Sequence, residues 1–532
     1  MMEEIENAGN ALDAALEQYL RVTDNRLLRQ SIPCNIRLDN LNTEIVRFSS
    51  RGLRLQQAEA SVRRLRNHIS QLTPVASLPP ELLAKIFHLV SHPCNLRVTA
   101  IEDSDLEAST SASEISDADV CSHWRRTAIG TPSLWTHIDY VPHKLFHRQL
   151  LARAEIHIAR ADPLLVELHV ADSNPLAYSE ASLRRFMSSI HDRVKSLEIA
   201  VFHTWRRFHQ LVLNELFCID SSSSIALTNL TTHFTMMDDD DIDEFMDWIN
   251  DTNNDFSHLT SLHLRGLFPL WNSTAYHSLV DLRLAPTSDA YWTGISEQEF
   301  RNILEASPGL QVIHFALHIT QRKNDESAWP VHLHDLEELH ISTDRGDEDT
   351  VAALGDVLRL LAPGPKPLWL SIWHSFRVFN FEDESMWDDD LSVDELRKFF
   401  QRANIAKFSA KSICPPLGRL LCYAPNLEDL VFDSCVFPWR AHEPFQRTTP
   451  ANLRLNSLAL HRCAPSLEQL KLLLDQHPTN EFILSQCDWT YLQDAAGVLN
   501  SNPFQQMSDL LNRYPATKAL VQNPTMKCHR VK

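Results

Sequence analysis

One short template, L-x-x-L-x-L, returns along the chain from about residue 163 to about residue 490, and it constrains the fold more than any other feature. Clear copies are Leu165-Leu168-Val170, Val194-Leu197-Ile199, Leu259-Leu262-Leu264, Leu279-Leu282-Leu284, Leu310-Ile313-Phe315, Leu336-Leu339-Ile341, Leu427-Leu430-Phe432 and Leu455-Leu458-Leu460. Weaker copies sit at Leu227-Leu230, Leu370-Ile372, Ile405-Phe408 and Phe482-Leu484. Apolar residues two apart match a strand that buries one face. The copies are spaced by about 20 to about 38 residues, around the range of leucine-rich repeats and irregular beyond it.

Between the strands lie helical stretches at 183–190, 242–249, 300–304, 351–361, 396–400 and 467–474. Strand then helix, repeated, describes an α/β solenoid with parallel strands and helices outside, each unit burying its apolar edge against its neighbours. An ordinary α/β domain is the alternative, but a doubly wound sheet has no reason to repeat one three-leucine template. Cys435, Cys463 and Cys487 each fall three residues after the last apolar position of their strand. That slot turns inward toward backbone groups, so the three thiols read as buried structural fillers, not as metal ligands.

Strand residues between the leucines face the other, concave side. One column there reads His263, Arg283, His314 and His340 in four successive clear copies, flanked by Arg265, Trp369, Ser371 and Trp373. On a chain of formal charge −20 a local basic row is unexpected. It suggests a face for an acidic or phosphorylated protein segment, with Trp369 and Trp373 as aromatic anchors. The plainer reading is a solvated polar sheet face in a chain with 26 histidines.

The net charge argues against general nucleic-acid or anionic-membrane binding. No apolar run approaches the roughly 20 residues of a membrane span, and the acidic start Met1-Met2-Glu3-Glu4 lacks the form of a signal peptide. Scattered cysteines without a CxxC pair fit reduced thiols, hence cytoplasm or nucleus. Residues 1–38 receive no assignment. Residues 39–73 read as a long helix in which Ala58, Val62, Leu65, Ile69 and Leu72 alternate steps of four and three; intramolecular packing is favoured over a short coiled coil. Residues 140–162 read as a connecting helix and 491–532 as a C-terminal cap or tail.

Ahead of the repeats stand two further blocks. In the first, Leu78-Pro79-Pro80-Glu81-Leu82-Leu83-Ala84-Lys85-Ile86-Phe87, the prolines suit a helix start. Leu82, Ile86 and Leu89 then form one apolar stripe, with Leu83, Phe87 and Val90 forming a second beside it. So broad an apolar face on a short helix implies that part of it waits for another protein. In the second block Val120, Trp124 and Ala128 share a helix face, Arg125 and Arg126 turn to solvent, and Leu134 and Trp135 after a Pro-Ser turn close a small three-helix core.

Together these blocks resemble the F-box, the docking segment of substrate adaptors in SCF (Skp–cullin–F-box) ubiquitin ligases. The chain is similar to fungal F-box proteins with divergent leucine-rich repeats, with the F-box over 74–139 and the repeats over 163–490. Leu78, Pro79, Glu81, Leu82, Ile86, Phe87, Val120, Cys121, Trp124 and Trp135 match the F-box pattern, and the resemblance implies that they divide between the domain core and contact with the Skp subunit. It departs from that pattern at 92–117, an acidic, serine-rich insertion that reads as a flexible loop.

No G-x-S-x-G elbow, H-E-x-x-H or phosphate-binding glycine pattern occurs. His143 and His147 stand at i and i+4 without an evident third ligand. The acidic runs 238–247 and 382–390 lack EF-hand spacing and read as solvated. The sequence therefore implies a protein with no catalytic, metal or cofactor residues of its own. By resemblance it would be an adaptor that binds the Skp subunit, and through it cullin, while its repeats hold a protein substrate. The alternatives are a leucine-rich-repeat scaffold outside ubiquitination and, remotely, an unrecognised α/β hydrolase.

Overall fold

A computed structural model describes residues 2–28, 38–67, 78–90, 122–142, 147–171, 178–202, 205–217, 226–234, 256, 258–287, 294–321, 329–344, 354–375, 393–413, 420–436, 454–463, 465, 467–487, 512–515 and 517–522. The chain divides into two compact units, 1–89 with 112–130 and 90–111 with 131–532. Val120, Cys121, the insertion 92–117, His143, the acidic runs and the helical stretch 242–249 all lie outside the described residues. Among the described residues no helix is long and apolar enough to cross a membrane.

The first unit is helical. α1 (Met2–Leu28) occupies most of the region left unassigned by sequence, and α2 (Leu38–Asn67) is the expected long helix. They meet through Tyr19 and Phe48, whose ring centroids are 5.6 Å apart, and through Arg51 over the Tyr19 ring at 5.7 Å. Ala58 and Val62 of the proposed stripe are exposed, so the observed packing uses a different part of α2; Leu65, Ile69 and Leu72 fall where side chains are not described. α3 (Pro80–Val90) and the helix Ser122–Ile129 complete this unit.

The second unit is an α/β solenoid. Its strands are β1 (His137–Tyr140), β2 (Val166–Ala171), β3 (Val194–Val201), β4 (Asn229–Phe234), β5 (Ser261–Arg265), β6 (Asp281–Ala285), β7 (Gly294–Ser296), β8 (Val312–Phe315), β9 (His318–Thr320), β10 (Val331–Leu333), β11 (Glu338–Asp344), β12 (Leu361–Pro363), β13 (Leu368–Ser375), β14 (Ile405–Ile413), β15 (Asp429–Val436), β16 (Leu455–His461), β17 (Thr479–Ser485) and β18 (Lys518–Gln522). Fourteen of them form one sheet in the order β1-β2-β3-β4-β5-β6-β8-β11-β13-β14-β15-β16-β17-β18, every pairing parallel. Spatial order follows chain order, as stacking of successive units requires. β7 with β9 and β10 with β12 make two short parallel ribbons.

All the template copies lie on strands or lead into them. Leu168, Leu197, Leu230, Leu262 and Leu282 pair in register from β2 to β6, and each is buried. A buried leucine contributes roughly 1.5–3 kcal/mol, so this ladder dominates the unit. Helices such as Glu180–Ser188, Glu297–Ala306, Val393–Arg402 and Leu467–Gln476 stand near the expected positions. Arg402 ties neighbouring repeats of this unit together, donating to the carbonyls of Leu361 at 2.9 Å and Leu358 at 2.5 Å.

The structure corrects several boundaries. The sheet begins at His137, inside the span read as F-box, and continues to Gln522, beyond the expected end at 490. Trp135, expected to close the small helical core, packs against the core of the second unit. It belongs to the solenoid, where its ring meets His157 edge-on at 5.0 Å and lies under the Arg160 guanidinium at 4.3 Å, both on the helix His147–Ala161. At the first template copy Val166, not Leu165, is buried; Leu165 is half-exposed.

The cysteine reading holds geometrically. Cys435, Cys463 and Cys487 are buried, and their thiols point at the carbonyls of Ala410, Phe432 and Leu460, each on the preceding strand, at 3.2, 3.5 and 3.3 Å. Burial pushes the Cys463 thiol up to about 12, so it stays protonated and unreactive. The residue before each cysteine supplies the turn: Ser434, Arg462 and Gln486 have φ of 53°, 51° and 55°. This left-handed conformation costs about 1–2 kcal/mol for an L-residue. Ser434→Gly should therefore be near neutral, while Ser434→Val should destabilise by about 1–2 kcal/mol, read as the shift in urea midpoint of the C-terminal repeats.

Candidate functional site

Two surfaces gather the candidate residues, one in each unit. The first is α3. The Pro79 carbonyl accepts from the backbone N–H groups of Leu82 and Leu83 at 3.0 and 3.1 Å, opening the helix where Pro80 has no N–H to lose. Leu83 is fully buried, and Phe87 meets Trp124 edge-on with centroids 5.6 Å apart. His123 Nε2 lies 3.4 Å from the Leu78 carbonyl, and Thr127 Oγ1 donates to the His123 carbonyl at 3.0 Å.

The other stripe is open. Leu82, Ile86 and Leu89 are 50%, 39% and 71% exposed, and Val90, expected beside Leu83 and Phe87, is 75% exposed. Arg125 and Arg126 face solvent, as do Pro79 and Glu81. One side of α3 is thus committed to its own unit and the other presents a contiguous aliphatic strip to water. Of the matched F-box residues, Leu78, Leu82, Ile86, Phe87 and Trp124 gather here with Pro79 and Glu81, whereas Trp135 sits in the solenoid.

The second surface is the open face of the large sheet. His263, Arg283, His314 and His340 are consecutive register partners across β5, β6, β8 and β11, so the expected row exists. Ser371 continues it on β13, flanked by Trp369 and Trp373, while Arg265 lies at the exposed end of β5.

Its charge, however, differs from the sequence reading. The row is paired from within by carboxylates on the same face. Asp281 receives His263 Nε2 at 2.9 Å and a two-pronged Arg283 contact at 2.9 and 3.0 Å. Burial opposes ionisation of Asp281, but these hydrogen bonds outweigh it and hold its carboxyl below the usual range. Glu338 Oε1 lies 2.8 Å from His314 Nε2 and 3.9 Å from His340 Nε2. Burial pushes His340 down to about 4, with His314 adding to the effect, and burial also lowers His314. The two imidazoles are therefore neutral at pH 7. The row is a hydrogen-bonding surface with one paired guanidinium, not a cationic strip.

The tryptophans carry more than the sequence suggested. Trp369 meets the His340 ring edge-on at 5.3 Å and lies under Lys407 Nζ at 4.2 Å; its indole nitrogen is sealed from solvent without a hydrogen-bond partner. Trp373 is 41% exposed, with Lys411 Nζ 4.0 Å from its ring centroid. The lysines come from β14, so register places a Trp–Lys pair twice along the β13–β14 seam.

Sequence reading also missed a histidine cluster at the other end of the face. His137 and Asp139 on β1 and His169 on β2 each offer a ligand atom within 4.8 Å of the other two. Asp139 and Glu167 overcome burial and raise His137 to about 9, while burial and the facing His137 push His169 down to about 4. The His-x-Asp spacing on one strand was the available signal, and it was hidden because β1 was read as part of the helical block.

No family model matches the sequence, and no curated protein does. Among solved structures the chain is similar to a chain of the yeast Rad7–Elc1 complex, at 13% identity and a TM-score of 0.35, over 92% of this chain and 98% of that one.

The His340 assignment has a direct check. Its value lies below the ordinary 6.5 of histidine, so the fold favours the neutral ring; that contribution is complete above about 6.5 and is lost as pH falls toward about 4. An NMR titration should show His340 neutral from pH 8 to about 5 with a midpoint near 4. A midpoint at or above 6.5 would restore the cationic row.

Proposed function

We propose that this protein is a non-catalytic substrate-recognition adaptor of an SCF-type ubiquitin ligase: α3 and its surroundings bind the Skp subunit, and the solenoid holds a protein substrate. The observation that carries this reading is the division of α3. Leu83 is sealed inside while Leu82, Ile86 and Leu89 stand open on the adjoining stripe. An 11-residue helix with that much uncovered aliphatic surface has an unmet packing demand. The resemblance of the surrounding residues to the F-box supplies the partner. The adaptor acts by proximity, raising the local concentration of substrate lysines near a ubiquitin carrier bound elsewhere in the ligase.

A substrate would lie on the open sheet face. Since His314 and His340 are neutral and both His263 and Arg283 are already paired with Asp281, recognition there would use hydrogen bonds to the row and apolar or cation–π contacts at Trp369 and Trp373. A phosphorylated or acidic segment would have to compete with Asp281 for Arg283.

Co-purification with a recombinant Skp subunit tests the docking half. Burial of one leucine stabilises by roughly 1.5–3 kcal/mol, so Leu82→Asp or Ile86→Asp should weaken capture at least ~10-fold without unfolding a unit in which neither side chain is buried. Trp124→Ala removes the contact with Phe87 and should reduce capture through loss of the fold. If the intact, folded chain captures no Skp subunit, the remaining reading is a leucine-rich-repeat scaffold outside ubiquitination. For the substrate half, Arg283→Glu breaks the Asp281 pair and should reduce recovery of substrate, with Skp capture unchanged.

A further inference from the structure

At the β1 end of the open face, the rings of His137 and His169 stand on adjacent parallel strands with centroids 4.0 Å apart. Asp139, two residues along β1, lies one register step from His137 on the same face, and its Oδ1 is 3.3 Å from His137 Nε2. The three side chains are partly buried. Both ring nitrogens of His137 are closed off from solvent, and neither is in hydrogen-bond geometry with an acceptor. This is a preassembled pair of imidazoles and a carboxylate in which the two His137 nitrogens have no hydrogen-bond partner.

A second set of acidic groups surrounds it. Glu198 Oε2 on β3 lies 3.4 Å from His169 Nδ1, and Glu167 Oε2 on β2 lies 3.8 Å from His137 Nδ1. Each imidazole therefore has an outer carboxylate at Nδ1, the arrangement that orients a ligand ring and leaves Nε2 for an ion. Lys195 on β3 acts on Glu167 only through its charge, and Glu198 is shared with His233, whose Nε2 lies 3.6 Å from Glu198 Oε1.

The same residue types gather elsewhere with a different charge. His314, Glu338 and His340 also lie within 4.8 Å of one another, but Arg283 acts on both imidazoles, and its positive charge opposes a second cation. The contrast singles out the β1–β2 cluster.

We propose that His137, Asp139 and His169 form a binding site for a divalent ion of the zinc class, with Glu167 and Glu198 as outer partners. Two imidazoles and a carboxylate match the N/O preference of Zn²⁺, which binds such ligands at about 2.0–2.2 Å. The ligand atoms would close from within 4.8 Å to the roughly 3.3 Å separations of a tetrahedron of that bond length, a shift that side-chain torsions supply. Three protein ligands leave a fourth position facing outward from the sheet, for water or for a side chain of a bound protein. This site rests on the side-chain geometry of β1 to β3 and does not depend on the adaptor reading.

The test is a Zn²⁺ titration of the full-length chain against a chromogenic chelator, for wild type, His169→Ala, His169→Asn, Glu198→Gln and His340→Ala. Circular dichroism melts establish that each variant is folded; His169 is not a core residue, and the asparagine keeps a polar group there. Wild type should take up one equivalent more than either His169 variant, with affinity for that equivalent at least 100-fold weaker in both. Glu198→Gln should weaken it about 10- to 100-fold, and His340→Ala should leave it unchanged. Co²⁺ loaded in place of Zn²⁺ should give visible d–d bands in wild type that are lost in His169→Asn. Equal uptake by folded wild type and His169 variants would overturn the proposal, as would loss of the same equivalent in His340→Ala.

Discussion

Everything in the larger unit depends on parallel pairing at nearly constant register. Each strand joins the previous one so that template leucine meets template leucine, as Leu262 meets Leu282 and Leu430 meets Leu458. A slip of one residue would turn the leucines to solvent and the histidines to the core, so the apolar ladder fixes the polar one without separate instruction. The left-handed turns at Ser434, Arg462 and Gln486 reinforce this by ending three successive strands alike and sending a thiol back to the preceding strand. The row from His263 to His340 is in that sense a by-product of leucine burial.

Register also explains why the open face is not basic. Stacking at roughly 4.8 Å brings like side chains close, and a column of cations at that spacing would repel itself. The chain places carboxylates among them, usually one strand further on: Asp281 serves His263, Glu338 serves His314, and Glu198 serves His169. Burial then keeps His314, His340 and His169 neutral. An acidic chain thus carries a histidine-rich face without either a strong field or an unsatisfied column. The exception is His137 at the β1 end, both of whose ring nitrogens are buried without a hydrogen-bond partner.

What was legible in the sequence follows the range of the interactions involved. Alternation of apolar residues is local, and it placed every template strand and the inward cysteines. The two-sided character of α3 was legible too, because residues four apart on a helix must share a face. β1 was missed because His-Ile-Asp-Tyr is short and lacks the leucines of the template, and β18 because Lys518–Gln522 has only Ala519, Leu520 and Val521 to announce it. The contacts of Trp135 with His157 and Arg160 were not legible because those residues lie on a helix that sequence treated as a connector. The pairing of the basic row was invisible because Asp281 and Glu338 occupy the neighbouring column, and only side-chain direction decides whom they serve.

The central column of the open face changes chemistry along its length. From β1 it runs through Asp139, His169, Glu198, Thr231, His263, Arg283, His314 and His340, then through Ser371, Ser409, Val431, Ala459 and Ile483 on β13 to β17. Trp369 and Trp373 stand where the charged half gives way to the small and apolar half. Those last five strands span about 19 Å at the usual spacing, enough for a short segment to lie across them. In the first half a visitor exchanges water for groups that already have partners, which gains little. In the second half it meets two indoles that sit under lysine ammonium groups, where cation–π attraction acts. Of the face proposed to hold a substrate, the Trp side of the junction therefore offers the stronger contacts, next to the row that the sequence made conspicuous.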